Sequence, residues 1–200
     1  MDPQQLPPIT DLKLSKILDD RVLFSTSEGR LEVSFWDEDI VRLRLGDEPV
    51  NTYPIIVGTP AGKKISYSTE DDLHIIRCEE GEVRLAPGPE DSDAEAGPVN
   101  FTFSQNSKAV VQPSPDGHFV RRFRIPPFAR TDHGWFFSIA LQPGAPIYGF
   151  GEKYATLNKR GQKLTSWAED ALGVNAEVCY KNAPFCWTPN GTNSPEGTSG

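Results

Sequence analysis

Proline and glycine interrupt this chain too often for long helices to form. Its 200 residues include 18 prolines and 17 glycines, spread over most of the length. Proline removes a backbone donor and fixes φ, and glycine weakens helices, so long helical segments are excluded. Hydrophobic residues still make up 37% of the chain, enough to bury a core. A turn-rich β protein is therefore predicted.

Short runs of alternating apolar and polar residues fill the intervals between these breaks. Arg30–Trp36 places Leu31, Val33 and Phe35 on one face, and Ile40–Leu45 follows with the same period. Two such runs separated by a short acidic interval are typical of a hairpin. Further strands are predicted at Arg21–Ser25, Lys64–Tyr67, Leu73–Cys78, Glu82–Leu85, Val99–Phe103, His118–Phe123 and Gly134–Leu141.

Strands at this spacing, with no helical pattern between them, predict an all-β fold and favour an antiparallel β-sandwich. The run Gly134–Leu141 is almost wholly apolar, so it is expected to lie between two covered faces. The sandwich is predicted over residues 11–188, after a flexible lead-in at 1–10 and before a disordered tail at 189–200. Inside it, the acidic, proline-flanked stretch 86–98 is predicted to be a mobile loop.

Charge and composition exclude several classes of function. The formal net charge is −8, and no segment offers the basic surface that a nucleic acid requires. No apolar run is long enough to span a bilayer, and the first residues do not resemble a secretion signal, so neither a membrane partner nor secretion is expected.

The cysteines and histidines predict neither a disulfide framework nor a metal site. Cys78, Cys179 and Cys186 are odd in number and lie outside any ligand spacing. The three histidines are scattered without carboxylates or cysteines at ligand positions. We expect reduced thiols, a cytoplasmic location and no cofactor.

Two motifs suggest chemistry that their context does not support. The run from Tyr148 to Glu152 contains a Gly-x-Gly turn, but it lacks the third glycine of a dinucleotide fingerprint. It is interpreted as a turn where the backbone packs closely. The acids after Trp36, at positions 37–39, lie in a predicted hairpin turn, where carboxylates are usually solvated.

The part of the chain from residue 135 to residue 187 is rich in aromatic residues. Glu169 and Asp170 lie close to Trp167 within a polar stretch, an arrangement that can hold a sugar hydroxyl while a ring stacks on the sugar. An ordinary acidic loop explains the same residues, and core packing explains the aromatic enrichment. Ten aromatic residues fall between positions 135 and 187: Trp135, Phe136, Phe137, Tyr148, Phe150, Tyr154, Trp167, Tyr180, Phe185 and Trp187.

Four short motifs in order give residues 147–187 a specific resemblance. They are YGFGE from Tyr148, LNKRGQ from Leu157, WAED from Trp167 and YKNAPF from Tyr180. Together they resemble the N-terminal domain of glycoside hydrolase family 31, a family of α-glucosidases and α-xylosidases.

The resemblance implies a β-sandwich of the galactose-mutarotase-like type, placed before a catalytic (β/α)₈ barrel. It implies a retaining hydrolysis of α-glycosides by two aspartates of that barrel, with which this domain would be partnered. The expected substrate is an α-linked glycoside or oligosaccharide. The loop at 163–175 would line the sugar pocket, with Asp170 at the substrate-contacting position and Glu169 and Trp167 beside it.

The barrel's carboxylates are not in these 200 residues, so the chain is expected to end before the barrel and to be inactive alone. Three hypotheses stay open. The chain is the pocket-lining domain of an α-glycosidase, a stand-alone carbohydrate-binding module, or a structural domain whose aromatic residues all pack in the core or at an interface.

Overall fold

The computed structural model describes residues 6–37, 40–47, 62–87, 98–106, 108–111, 119–120, 123–124, 126–132, 134–141, 143–166 and 181–189. Within these ranges every regular element is a β-strand. Among the same residues there is no helix with the length and apolar character needed to cross a membrane. The chain divides into two compact units, residues 1–140 and 141–200.

Of the strands that the structure describes, thirteen belong to the first unit and two to the second. In chain order they are β1 (Lys13–Ile17), β2 (Arg21–Thr26), β3 (Gly29–Asp37), β4 (Ile40–Leu45), β5 (Ser66–Glu70), β6 (Leu73–Cys78), β7 (Gly81–Pro87), β8 (Val99–Gln105), β9 (Lys108–Val111), β10 (Phe119–Val120), β11 (Phe123–Arg124), β12 (Phe128–Thr131), β13 (Gly134–Phe137), β14 (Tyr148–Gly151) and β15 (Asn182–Trp187).

Two antiparallel sheets dominate the first unit. One has the strand order β1-β2-β3-β4 and the other β5-β6-β7-β8-β9. In the first sheet Val33 lies opposite Val22 on one side and Leu43 on the other. Because this register places apolar residues opposite each other along one face, that face must be covered.

A single apolar core draws on both sheets. The inward side chains of β2 and β3 are fully buried, and so are those of β6, β7 and β8. Since alternate residues of each strand contribute, the two sheets form the layers of a sandwich, as the period-two pattern predicts. The core contains Val22, Phe24, Leu31, Val33, Phe35, Ile76, Cys78, Val83, Leu85, Val99, Phe101 and Phe103.

The end of the predicted lead-in is part of this core. Ile9 is 1% exposed, and its backbone N–H donates to the carbonyl of Phe128 at 3.1 Å. The Ile9 carbonyl in turn accepts a hydrogen bond from the N–H of Val99 at 2.8 Å. Residues 6–10 are therefore held by the sandwich, and the expectation of a flexible lead-in is wrong for them.

The apolar run from residue 134 is not covered on both faces as expected. Within the described ranges, strand β13 pairs with β12 alone. The exposure of its side chains alternates, with Trp135 39% and Phe137 49% exposed. The guanidinium of Arg130 lies 4.4 Å from the ring centroid of Trp135, and Phe137 stacks on Phe128 at 5.0 Å. Two-stranded pairing with these ring contacts explains the composition without full burial.

Candidate functional site

The three residues predicted to contact substrate, Trp167, Glu169 and Asp170, lie outside the described residues. Of the predicted loop 163–175, the structure describes 163–166. The site is therefore built from the residues on either side of the segment 167–180, which belong to the second unit.

The described end of this loop is attached to the rest of the unit. The ammonium of Lys153 donates to the backbone carbonyl of Thr165 at 2.6 Å. The hydroxyl of Ser166 donates to Oδ1 of Asn182, at the start of β15, at 3.2 Å. Residues before and after the undescribed segment thus meet, which is how a surface loop with closely spaced ends is anchored.

The antiparallel strand pair β14–β15 carries two aromatic rings that contact each other. Tyr148 lies opposite Trp187 in the register, and their ring centroids are 4.9 Å apart with an angle of 40° between the planes. Trp187 is 51% exposed, so about half of this side chain faces solvent. Offset aromatic pairs of this kind hold each other in place while keeping one face accessible.

Close backbone contact defines this hairpin. A Cβ on Gly149 would overlap the carbonyl oxygen of Phe185, and one on Gly151 would lie 2.5 Å from the carbonyl oxygen of Lys181. Gly149, Phe150 and Gly151 all have positive φ, at 114°, 65° and 74°. The predicted close packing of the backbone is confirmed, but the predicted turn is wrong, because the segment is a strand with an irregular register. The conformation of Phe150 is the unfavourable one of the three, because a left-handed backbone is disfavoured for residues other than glycine.

A polar turn after β14 is fixed by Asn158. Its Oδ1 accepts hydrogen bonds from the backbone N–H of Ile147 at 3.1 Å and of Arg160 at 3.0 Å. Its carbonyl accepts from the hydroxyl of Thr156 and from Nε2 of Gln162, each at 2.8 Å. The motif LNKRGQ is thus a built turn rather than an unstructured polar stretch.

Lys159 lies in this turn and is 7% exposed. Its backbone N–H donates to the carbonyl of Ile147 at 2.7 Å. Among the residues that the structure describes, its side-chain ammonium has no hydrogen bond or ion pair. Its Nζ is not among the described buried side-chain atoms that lack a hydrogen-bond partner, so the aliphatic stem accounts for the burial. Sequence reasoning missed this residue, because a lysine between Asn158 and Arg160 has the pattern of a solvated turn.

A concavity of about 910 Å³ opens beside these elements. Its walls carry the aromatic pair, Leu157, Lys159 and smaller contributions from β14 and the turn. The concavity is wide open to solvent, and its lining is mostly apolar with a few polar groups. The lining residues are Tyr148, Gly149, Gly151, Glu152, Lys153, Ala155, Leu157, Lys159, Trp187 and Pro189.

Other large apolar side chains of the second unit are exposed as well. Leu157 is 79%, Phe185 65% and Tyr154 60% exposed. Several large apolar side chains exposed in one unit are more typical of a binding surface than of a surface that faces only solvent. For the described aromatics Tyr154, Phe185 and Trp187, burial in this unit's own core is therefore excluded.

The remaining candidates have structural explanations. Asp37 forms an ion pair with Lys63 at 3.1 Å, while Glu38 and Asp39 lie outside the described residues. His74 accepts or donates a hydrogen bond with the hydroxyl of Tyr67 at 2.8 Å and packs edge-on against Phe24 at 5.0 Å. Burial lowers the pKa of His74, and nearby Asp72 partly opposes that shift. In the described part of the chain, no cluster of three or more His, Cys, Asp or Glu residues could hold a metal.

A family model matches most of the chain. It is described as the glycosyl hydrolase 31 N-terminal galactose mutarotase-like domain and matches residues 30–195.

Two curated proteins share a short segment with this chain. An alpha-xylosidase of Emericella nidulans is 41% identical over 51 residues, which are 26% of this chain and 6% of that protein. The alpha-xylosidase XylQ of Lactiplantibacillus pentosus is 42% identical over 45 residues, 22% of this chain and 6% of that protein. The matched segments are thus a small fraction of both relatives.

A solved structure has the same fold. The GH31 dextranase of Flavobacterium johnsoniae, complexed with glucose, superposes with a TM-score of 0.67 at 18% identity, covering 92% of this chain and 21% of that chain. The likeness confirms the predicted antiparallel β-sandwich of the galactose-mutarotase-like type. The chain spans about a fifth of that dextranase.

Proposed function

Since the chain belongs to the family of glycosyl hydrolase 31 N-terminal galactose mutarotase-like domains, we propose that it is the first domain of a retaining α-glycosidase. In this role it hydrolyses nothing alone. It supplies a loop to the sugar pocket of a catalytic barrel, where two carboxylates carry out the cleavage of an O-glycosyl bond. Trp167, Glu169 and Asp170 of the loop 163–175 are the proposed substrate contacts.

One observation carries this proposal above all others. The hydrogen bond from Ser166 to Asn182 brings together the two sides of the segment that holds all three residues. The bond from Lys153 to Thr165 attaches the same segment to the residues that follow β14. A loop anchored at its base can project polar side chains at a defined place, which is what pocket lining requires.

Exposed apolar side chains on the second unit support a barrel as the partner. Leu157, Phe185 and Tyr154 are each more than half exposed. Interfaces between domains of one polypeptide are built from such residues. The Flavobacterium dextranase complexed with glucose and the two alpha-xylosidases support an α-linked glucoside or xyloside as the class of substrate.

A chimaera tests the loop's role. Residues 147–187 of this chain replace the corresponding segment of the Emericella nidulans alpha-xylosidase, and hydrolysis of p-nitrophenyl α-xyloside is measured. We expect activity to be retained, and Asp170→Asn to lower kcat/KM by about tenfold or more, since a charged hydrogen bond to substrate is lost. Glu152→Gln is the matched control, because Glu152 is an exposed carboxylate of the same segment. Equal kcat/KM for the parent chimaera and Asp170→Asn would remove Asp170 from the pocket.

The purified 200-residue chain tests the inactivity. We expect no turnover of p-nitrophenyl α-glucoside or α-xyloside above a buffer blank. Turnover that copurifies with the chain through two chromatographic steps would contradict the proposal.

A stand-alone carbohydrate-binding module is the second candidate function. The half-exposed Trp187, held against Tyr148, favours it, because an accessible aromatic face is what such modules use. Millimolar maltose or isomaltose that changes the tryptophan fluorescence of the isolated chain would support a module over a barrel-dependent domain.

We also propose a cytoplasmic location. Its support is that Cys186, which is exposed, is a free thiol. Exposed free thiols persist in reducing compartments. Alkylation of Cys186 in intact cells before lysis tests this, and a blocked or oxidised thiol there would contradict it.

A further inference from the structure

We propose that strand β1 (Lys13–Ile17) is a docking edge for an extended polypeptide segment in which acidic and apolar residues alternate. The bound segment adds one strand to the sheet β1-β2-β3-β4. Three features of β1 support this inference: a free backbone edge, two exposed apolar side chains and two exposed lysines. All of them belong to the first unit, so the inference is independent of the proposed glycosidase role.

The backbone of β1 is paired on one side. Within the described residues β1 pairs with β2 and with no other strand, and all five of its residues are exposed. The N–H and C=O groups along the outer edge of a terminal strand can form a ladder with an added strand. Such a ladder needs a second peptide backbone, which makes the partner a polypeptide.

The apolar side chains of β1 lie on the same face of the sheet as the core. Leu14 lies opposite Phe24, and Ile17 lies opposite Val22, both fully buried residues of β2. At the edge, however, Leu14 is 40% and Ile17 is 48% exposed. A further strand with apolar residues on this face would cover them and extend the core side of the sheet.

The two lysines of β1 lie on the other face. A register shift between Leu14 and Lys16 places Lys13 and Lys16 opposite outward residues of β2, and both lysines are exposed. Within the described part of the chain neither of them takes part in an ion pair. Acidic residues at the outward positions of an added strand would lie beside these ammonium groups, at the spacing of cross-strand pairs.

The sheet behind the lysines is basic as well. Two cross-strand rows begin at β1 on the outward face. The rows consist of Lys13, Ser25 and Arg30, and of Lys16, Leu23, Glu32 and Arg44. Glu32, the acid of these rows, is 7% exposed and forms an ion pair with Arg21 at 3.6 Å. In a chain of net charge −8, these rows therefore present cations and no exposed carboxylate.

The same lysines disfavour a second copy of this chain as the partner. Pairing two β1 strands edge to edge would place four ammonium groups along one joint, and like charges across a strand pair are destabilising. Lysines on edge strands commonly prevent such self-pairing. The charge that repels a copy attracts a strand with carboxylates at alternate positions, so the inferred partner is acidic.

Binding of labelled peptides to the 200-residue chain tests the proposal. The probe is a fluorescent peptide of sequence EVEVEVE, its binding is measured by anisotropy at low ionic strength, and KVKVKVK is the charge control. We expect EVEVEVE to bind about tenfold more tightly, because two attractive charge pairs replace two repulsive ones. An EVEVEVE probe that is N-methylated throughout keeps its charges but loses its backbone donors, and should bind about tenfold more weakly than the parent probe.

Variants of the edge show where the probe binds. Lys13→Glu with Lys16→Glu should lower the affinity for EVEVEVE by about tenfold and raise the affinity for KVKVKVK. Leu14→Thr with Ile17→Thr should weaken the binding of both probes. Because these four side chains are exposed in the free chain, both variants should keep the Tm and the far-UV circular dichroism of the parent.

A matched control changes two lysines elsewhere. Lys163 and Lys181 are exposed residues of the second unit. Lys163→Glu with Lys181→Glu makes the same change in net charge as the edge variant, and should leave both affinities within about twofold of the parent values.

Several results would overturn the proposal. They are equal affinities for EVEVEVE and KVKVKVK, binding that survives N-methylation, and an unchanged preference in a folded Lys13→Glu, Lys16→Glu variant. Single-stranded DNA that competes as well as EVEVEVE would also overturn it, since the edge would then bind any polyanion. Failure of Asp170→Asn in the chimaera would leave it untouched, because that residue belongs to the other unit.

Discussion

The two units of this chain are stabilised by different means. In residues 1–140, large apolar side chains such as Phe24 and Phe35 are fully buried between two sheets. In residues 141–200, Phe185 and Trp187 are 65% and 51% exposed, and a polar turn around Asn158 supplies much of the described hydrogen bonding. The first unit thus carries its own core, whereas the second displays the side chains from which cores and interfaces are made.

This difference separates folding from recognition. Burial of apolar area stabilises the first unit without any partner. In the second unit, backbone contacts and hydrogen bonds fix the geometry, and the apolar and aromatic groups remain available to a ligand or another domain. Substitutions of the same chemical kind should therefore change the free energy of unfolding by very different amounts in the two units.

A matched pair of Phe→Ala variants gives the largest expected contrast. Phe35→Ala removes a fully buried ring and should lower the free energy of unfolding by about 3–5 kcal/mol. Phe185→Ala removes an exposed ring and should change it by less than about 0.5 kcal/mol. Urea denaturation followed by far-UV circular dichroism measures both. Similar losses for the two variants would mean that the second unit buries Phe185.

Glycine substitutions test whether close backbone contact fixes the second unit. Gly149→Ala brings a Cβ against the Phe185 carbonyl at a φ of 114°, and should cost about 2–4 kcal/mol through overlap and strain. Gly144→Ala is the control. It has a φ of 77°, and an added Cβ there meets no described atom within 4 Å, so about 1–2 kcal/mol of strain alone is expected.

Local hydrogen exchange shows whether the effect of Gly149→Ala stays within the second unit. Gly149→Ala should accelerate exchange of amides in β15 and leave those of β3 protected. Equal acceleration in both strands would show that the units unfold together.

Asn158→Ala tests the polar turn. It removes the acceptor of the Ile147 and Arg160 N–H groups, each bond contributing about 0.5–1.5 kcal/mol. The loss should appear as faster exchange of these two amides. An unchanged exchange rate at Ile147 would rule out Asn158 as the residue that fixes the turn.

The pH dependence of the first unit should show the smallest effect. Burial lowers the pKa of His74 below its usual value of 6.5, so the unfolded chain binds a proton before the folded one does. Stability is then complete above the unfolded pKa and falls as the pH drops through 6.5 toward the folded pKa. Urea midpoints at pH 7.5 and 5.5 measure the fall, and His74→Gln should reduce it. A midpoint difference that is the same in His74→Gln would assign the dependence to other groups.

Much of the first unit was predictable from the sequence, because its strands alternate. The bounds of β4 and β6 follow directly from the period-two pattern, and β3 differs by one residue at each end. Strand β1, with the sequence KLSKI, lacks a buried face, so no pattern indicated it. For Gly134–Leu141 the sequence predicted more burial than the structure shows, because an apolar run does not reveal how many neighbours its strand has.

The candidate site was less predictable. Motifs led to Trp167, Glu169 and Asp170 through a resemblance, but they could not show how that loop is attached. The contacts of Ser166 with Asn182 and of Lys153 with Thr165 join residues distant in sequence. The burial of Lys159 depends on how the turn packs, which no local pattern encodes.

The hydrogen bond between Ser166 and Asn182 joins the residues on either side of the segment 167–181. With the two ends already joined, chain inserted between them costs little further ordering, only about 0.6 kcal/mol for each doubling of length. Residues inserted between Ser166 and Asn182 are therefore expected to cost little stability. Under the proposed function, an exchange of these residues would alter the sugar preference and leave the rest of the chain unchanged.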